Sequence, residues 1–200
     1  MAHAFPEEIV FAAAALRRGE IVAYPTETFY GLGVNALDEL ALARLRLLKG
    51  RGDKALSVLV GGDSLESMMN ALCKSVPPAA KRLMDRYWPG PLTLVLPARR
   101  GLPAPLVANG FIAVRESPHP TARALVAAFG GPITATSANI SGGAPATTPE
   151  AVEEVFEGRC RVLHGGPTAG GAPSTIVRVR GNRLEILRKG VLPIAETELE

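Results

Sequence analysis

Cysteine is nearly absent: Cys73 and Cys160 are the two in 200 residues, far apart and without a C-x-x-C pattern. That excludes a disulfide framework and a thiolate zinc site, and leaves both thiols structural. The three histidines, His3, His119 and His164, are scattered without metal-ligand spacing, so no structural zinc site is expected. No apolar run approaches the roughly 18 residues that span a bilayer, and Met1 to Glu8 lacks the charged start and apolar stretch of a signal peptide. A cytoplasmic protein with no membrane role is therefore expected. There is no low-complexity tract, no internal repeat, no G-x-S-x-G nucleophile elbow, no G-x-x-x-x-G-K-[ST] P-loop and no G-x-G-x-x-G fingerprint. Hydrolase and standard nucleotide-fold readings fall accordingly.

What remains is a chain with 47% hydrophobic and 20% charged residues, enough to bury one core and too apolar for disorder. A single domain over 1–200 is expected. The net charge of +3 is a mild basic excess that can attract nucleotides or RNA without identifying either.

Punctuation by Pro and Gly divides the chain into alternating elements. Pro6 to Arg18 reads as a helix with Ile9, Val10, Ala13, Ala14 and Leu16 inward and Gly19 as its stop. Strand Ile21 to Ala23 follows. Asp38 opens a helix that keeps Leu40, Leu42, Leu45, Leu47 and Leu48 near one side and runs into a basic loop, Lys49-Gly50-Arg51-Gly52. Leu56 to Val60 reads as a strand, and Ser64 to Leu72 and Pro78 to Arg86 as helices. Leu92 to Leu96 and Phe111 to Arg115 read as strands. Thr121 caps a helix to Phe129, Pro132 to Thr136 is a buried strand, and Pro149 to Phe156 is a short helix. Thr175 to Val179 and Leu184 to Leu187 close a hairpin around Gly181-Asn182. The alternation implies an α/β fold with an open, twisted sheet of mixed strand direction flanked by helices.

Polar loops stand where the apolar strands end, and in open α/β sheets such loops converge on a ligand crevice. Tyr24-Pro25-Thr26-Glu27-Thr28-Phe29-Tyr30-Gly31-Leu32-Gly33 packs hydroxyls, a carboxylate and two glycines that let main chain approach a ligand; a tight turn after a strand explains it equally. Lys49, Arg51 and Lys54 can grip a polyphosphate, or can be a solvated helix end favoured by the helix dipole. Ser137, Asn139 and Ser141 beside Gly142-Gly143 can hold phosphate or sugar oxygens, or form a plain turn. Gly165 to Gly171 is glycine-rich and expected to be mobile. A site made of cations, hydroxyls and backbone amides points to phosphoryl or nucleotidyl chemistry, in which positioning and charge stabilisation carry catalysis.

In order along the chain, Tyr24 to Gly33, Lys49-x-Arg51, Trp88-Pro-Gly-Pro-Leu-Thr93, Ala113-Val-Arg115 with His119-Pro120, Ser137-Ala-Asn-Ile-Ser-Gly142, Ser174-Thr-Ile-Val177 and Leu187-Arg188-x-Gly190 resemble the YrdC/TsaC family of threonylcarbamoyl-AMP synthases. The likeness runs from about residue 11 to 190. It implies a YrdC-like fold with a large positively charged cavity, where ATP with Mg²⁺, bicarbonate and L-threonine give threonylcarbamoyl-AMP and pyrophosphate. That product supplies N6-threonylcarbamoyladenosine in tRNA through a partner transferase machinery. By motif position, Thr28, Arg115, Ser174 and the main chain of Ala135 resemble the threonine side. Arg51, Lys54, Ser137 and Arg188 resemble the ATP side, with Lys49, Asn139 and Ser141 as pocket neighbours. Lys49, Arg51 and Arg115 would position substrates; no general base is legible. Gly52 and Ser117 stand where the family commonly has Pro, Arg178 where an acid is common, and Lys189 where Pro is. The C-terminal domain of longer relatives is not expected. Two other readings compete: a non-catalytic module binding double-stranded RNA or tRNA, and carbamoyl-adenylate chemistry of hydrogenase maturation.

Overall fold

The computed structural model describes residues 4–50, 52, 54–180 and 183–194. Helix α1 (Pro6–Arg17) starts with Pro in its first turn, and Glu8 accepts a hydrogen bond from the Phe5 amide at 2.9 Å. This satisfies an amide that the helix itself leaves without a partner. Its buried stripe is Ile9, Ala12, Ala13, Ala15 and Leu16. Val10, expected inside, is 62% exposed, because the stripe follows the i, i+3, i+4, i+7 spacing of a helix and Val10 falls outside it.

Strands β1 (Val22–Pro25) and β2 (Tyr30–Gly33) form an antiparallel hairpin around Thr26 to Phe29. Helix α2 (Glu39–Lys49) follows, with Asp38 accepting from the amides of Leu40 and Ala41 at 2.9 and 3.1 Å. Gly50 stops it in the left-handed conformation, φ 57°. The helix buries Ala41, Leu42, Leu45 and Lys49, whereas Leu40 and Leu47, expected to share that side, are 71% and 84% exposed. At 100° per residue these two lie half a turn from Leu42, Leu45 and Lys49.

Next come β3 (Val58–Leu59), a 3₁₀ turn, α3 (Leu65–Leu72), α4 (Pro78–Tyr87), β4 (Leu92–Pro97), a second 3₁₀ turn, β5 (Val107–Ala108) and β6 (Phe111–Arg115). Helix α5 (Pro120–Phe129) is capped by the His119 Nδ1, which accepts from the Thr121 amide at 3.3 Å; the cap is therefore His119 and not Thr121. After it the chain forms β7 (Ile133–Thr134), β8 (Thr136–Ser137), α6 (Pro149–Phe156), β9 (Arg161–Val162), β10 (Thr175–Arg180) and β11 (Arg183–Arg188). The expected turn at Gly181-Asn182 lies outside the described residues.

The strands make two mixed sheets instead of one. The smaller runs β8-β2-β1-β9, the larger β11-β10-β4-β6-β3-β7 with β5 beside β6. Pairs β1/β9, β4/β10 and β3/β6 are parallel and the rest antiparallel. The single strand expected over Pro132 to Thr136 is where the sheets part: β7 joins β3 and β8 joins β2, with Ala135 between them.

Tyr24 bridges the sheets. Its hydroxyl donates to the Thr134 carbonyl at 2.7 Å, and its ring lies where a Cβ on Gly33 would stand, 2.8 Å away. Gly33 is thus required by the packing of this aromatic ring and not by a ligand.

Candidate active site

The β1–β2 turn, the Ala135 crossover, the ends of β4, β6 and β10, and Arg188 at the end of β11 enclose a cavity of about 310 Å³. Of the groups singled out in the sequence, Thr28, Arg115, Ala135, Ser137, Ser174 and Arg188 line it. The charged side chains among its described lining residues are Arg115 and Arg188. A larger depression of about 580 Å³ lies by Gly19 to Ile21, Leu47 and Arg159 to Arg161. It contains none of these six, and its walls lack the convergent hydroxyls of the smaller cavity.

Arg115 ends β6 with its side chain 7% exposed and paired through Nη2 with Glu27 Oε1. Ser117 Oγ donates to the other carboxylate oxygen at 2.6 Å. The Arg115 Nε is buried and has no hydrogen-bond partner.

Arg188 is exposed as a residue, yet its head donates to the Ser174 carbonyl at 2.7 and 3.1 Å and to Ser174 Oγ at 3.0 Å. Partial desolvation, and secondarily the nearby charge of Arg115, lower its pKa from the usual guanidinium value. Two cations facing one cavity make it favourable for an anion.

The hydroxyls are held in pairs. Ser174 Oγ lies 2.9 Å from Thr93 Oγ1, and Thr28 Oγ1 lies 3.2 Å from Thr26 Oγ1. Ala135 is clamped by Ser57, which accepts from its amide at 2.8 Å and donates to its carbonyl at 2.7 Å. Thr26, part of the Tyr24 to Gly33 motif, also lines the cavity, as do Ser57 and Thr93, to which the sequence assigns no site role. For Thr93 the signal was a hydroxyl set in the otherwise apolar run Leu92 to Leu96.

The remaining described candidates do not line the cavity. Lys49 is 1% exposed, and its ammonium donates to the carbonyls of Ser137 and Asn139, the latter at 2.8 Å. Asn139 uses its amide on the carbonyls of Ile140 and Gly143 at 2.8 and 2.9 Å. The Ser141 amide donates to the Lys49 carbonyl at 2.9 Å. All three therefore shape the loop that presents Ser137, and none lines the cavity. Lys54 is exposed and also off the cavity wall, and Arg51 lies outside the described residues. The glycine-rich segment Gly165 to Gly171 is tied at several points: Gly166 accepts from the Tyr30 hydroxyl at 2.8 Å, and Gly170 donates to Thr28 at 2.7 Å. It packs behind the Thr28 turn.

Residues 14–190 match the model of the Sua5/YciO/YrdC family, whose description reads telomere recombination. A Pyrococcus abyssi protein named threonylcarbamoyl-AMP synthase is 41% identical over 96% of this chain and 56% of its own length. A Thiobacillus denitrificans protein of the same name is 40% identical over 82% of this chain and 87% of its own. The solved structure of P. abyssi Sua5 complexed with L-threonine superposes with a TM-score of 0.88 at 39% identity, covering 94% of this chain and 56% of that one. The chain thus spans about half the length of some relatives that it matches. With the likeness extending through both sheets and every strand that borders the cavity, the chain belongs to the Sua5/YciO/YrdC family.

Proposed function

We propose that this chain is a nucleotidyltransferase, an L-threonylcarbamoyladenylate synthase that converts L-threonine, bicarbonate or CO₂, and ATP to threonylcarbamoyl-AMP and pyrophosphate. The observation that carries the reading is the convergence of Arg115, Arg188 and paired hydroxyls on one cavity, in a chain about 40% identical to proteins named for that activity. The P. abyssi relative was solved with L-threonine, and the same ligand fits the chemistry here. Arg115 keeps an unused buried donor for a carboxylate, and the Thr28 and Ser174 hydroxyls suit the ligand's polar groups.

In this reading the threonine ammonium loses one proton to solvent, its nitrogen attacks the carbon of CO₂, and a second proton leaves that nitrogen to give N-carboxy-threonine. An oxygen of that new carboxylate then attacks the α-phosphorus of ATP, and the bond from phosphorus to the bridging oxygen of pyrophosphate breaks. The protein contributes proximity and charge. Arg188, anchored on Ser174, stands beside the threonine site on the side assigned to ATP. Ser137, held through its own carbonyl by Lys49, donates its hydroxyl to Asn139 Oδ1 at 2.5 Å and would meet the nucleotide as an acceptor, for a ribose hydroxyl or the adenine amine. Arg51 and Lys54 would add charge toward the leaving group. Mg²⁺ would enter as the ATP complex, held by phosphate oxygens.

The product would pass to a transferase machinery acting on tRNA, which suits a cytoplasmic protein. Among the described residues no helix is long and apolar enough to cross a membrane.

The test is pyrophosphate release from MgATP with and without L-threonine and bicarbonate, with the adduct identified by mass. Release that requires both is expected. Tight RNA or nucleotide binding without turnover would overturn the reading in favour of a binding module.

A further inference from the structure

The guanidinium of Arg115 is held from behind by a chain of three groups. Glu27 takes the Nη2 contact on Oε1. Its Oε2 accepts from Ser117 Oγ at 2.6 Å, and Ser117 Oγ in turn accepts from the His119 amide at 3.2 Å. His119 is the cap of α5, so the chain of contacts begins on a helix end and finishes on the cavity wall. Both Glu27 oxygens are committed, and Glu27 itself does not line the cavity. The side chains of Arg115 and Glu27 are 7% and 18% exposed, a setting in which losing one partner leaves the other charge poorly hydrated.

Arg115 also faces a like charge. Arg188 shares the cavity wall, and the two repel. A carboxylate fixed behind Arg115 offsets that repulsion without occupying the space a ligand needs. The Nε that Glu27 leaves unused is buried and unpartnered, and such a donor bears a desolvation penalty until an acceptor arrives.

We infer that Glu27 is a positioning residue for the amino-acid carboxylate: braced by Ser117, it locks the Arg115 guanidinium so that a donor edge stays available to the substrate. A guanidinium held in place before binding loses little freedom when the ligand arrives, so the effect falls on substrate affinity. The inference rests on the threonine reading of the cavity.

The experiment compares wild type with Glu27→Ala, Glu27→Gln, Ser117→Ala, Arg115→Ala and the Glu27→Ala/Arg115→Ala double variant. Glu27→Ala is expected to raise KM for threonine about tenfold, equivalent to 1.4 kcal/mol. Both kcat and KM for ATP should stay within about a factor of two. Glu27→Gln, which keeps an acceptor, should recover part of the loss, and Ser117→Ala should lose less than Glu27→Ala. In the Arg115→Ala background the Glu27 change should add nothing. A second readout needs no substrate: the Arg115 Nε–Hε resonance of ¹⁵N-arginine-labelled protein, identified by its absence in Arg115→Lys, should shift and exchange faster with water in Glu27→Ala.

An unchanged resonance, or equal losses for threonine and ATP, would overturn the inference. Wild type that turns over no threonine while the resonance still responds to Glu27 would overturn the substrate reading and leave the positioning role standing.

Discussion

Replacing Lys49 by methionine separates two roles that the sequence could not. The ammonium is buried and donates to two carbonyls in the loop that presents Ser137, while the Lys49 carbonyl accepts from Ser141. Methionine keeps the length and packing of the stem but removes the donors. The Asn139 carbonyl is left without this donor, at a cost of about 1–3 kcal/mol for a buried acceptor, whereas the Ser137 carbonyl keeps the Asn139 amide at 3.0 Å. The relief of no longer burying a charge offsets part of this, which leaves about 1–2 kcal/mol of destabilisation. For a chain of this size each kcal/mol moves Tm by about 2–4 °C, so a fall of roughly 2–8 °C is expected. Thermal melts and urea titrations of Lys49→Met beside wild type measure it. Affinity for both substrates should decline with the distorted loop, and no more steeply for ATP than for threonine. A variant with unchanged Tm and selective loss of ATP binding would refute the argument and return Lys49 to the nucleotide.

Arg115→Ala should weaken threonine binding by roughly 10- to 150-fold, as expected for losing a charged hydrogen bond of about 1.5–3 kcal/mol, with ATP affinity little changed; calorimetric titration of each ligand decides it. Gly190→Ala would set a Cβ 2.2 Å from the Pro173 carbonyl oxygen and 2.5 Å from backbone atoms of Ser174 and Thr175. It should therefore cost about 3 kcal/mol or more and, by displacing Ser174, lower threonine affinity too, as urea midpoints and binding isotherms will show. Burial pushes the Tyr30 hydroxyl up to about 12 and raises that of Tyr24 as well, desolvation being the main cause for both. Because the folded pKa lies above the unfolded value of about 10, these tyrosines stabilise the fold fully below pH 10. That contribution is lost as pH rises from 10 through 12. Absorbance of phenolate should show Tyr24 and Tyr30 titrating above the free-tyrosine range in the native chain; both titrating near the free value of about 10 would contradict the burial.

Element identity was largely legible because it depends on neighbours along the chain. The strand Phe111 to Arg115 and the helix Pro149 to Phe156 lie as read, since turn residues and periodicity bound them locally. Facing was less legible. Leu40 and Leu47 are as apolar as Leu42 and Leu45, and the choice between them was made by what the rest of the chain packs against α2. The split of residues 132–136 into two sheets was hidden for the same reason: β7 and β8 differ in partner and not in composition.

The motifs by themselves determined the family-like order of polar loops at strand ends, and with it a cavity at the β1–β2 turn. Only the tertiary structure decided which of those polar groups face it. Lys49 and Arg51 are two residues apart in one basic cluster, but Lys49 is committed to carbonyls 88 and 90 residues away. Glu27 and Arg115, 88 residues apart, become one unit. A charged side chain reads the same in sequence whether it serves the fold or a ligand. Burial, and the partners that burial demands, separate the two, and those partners come from distant parts of the chain.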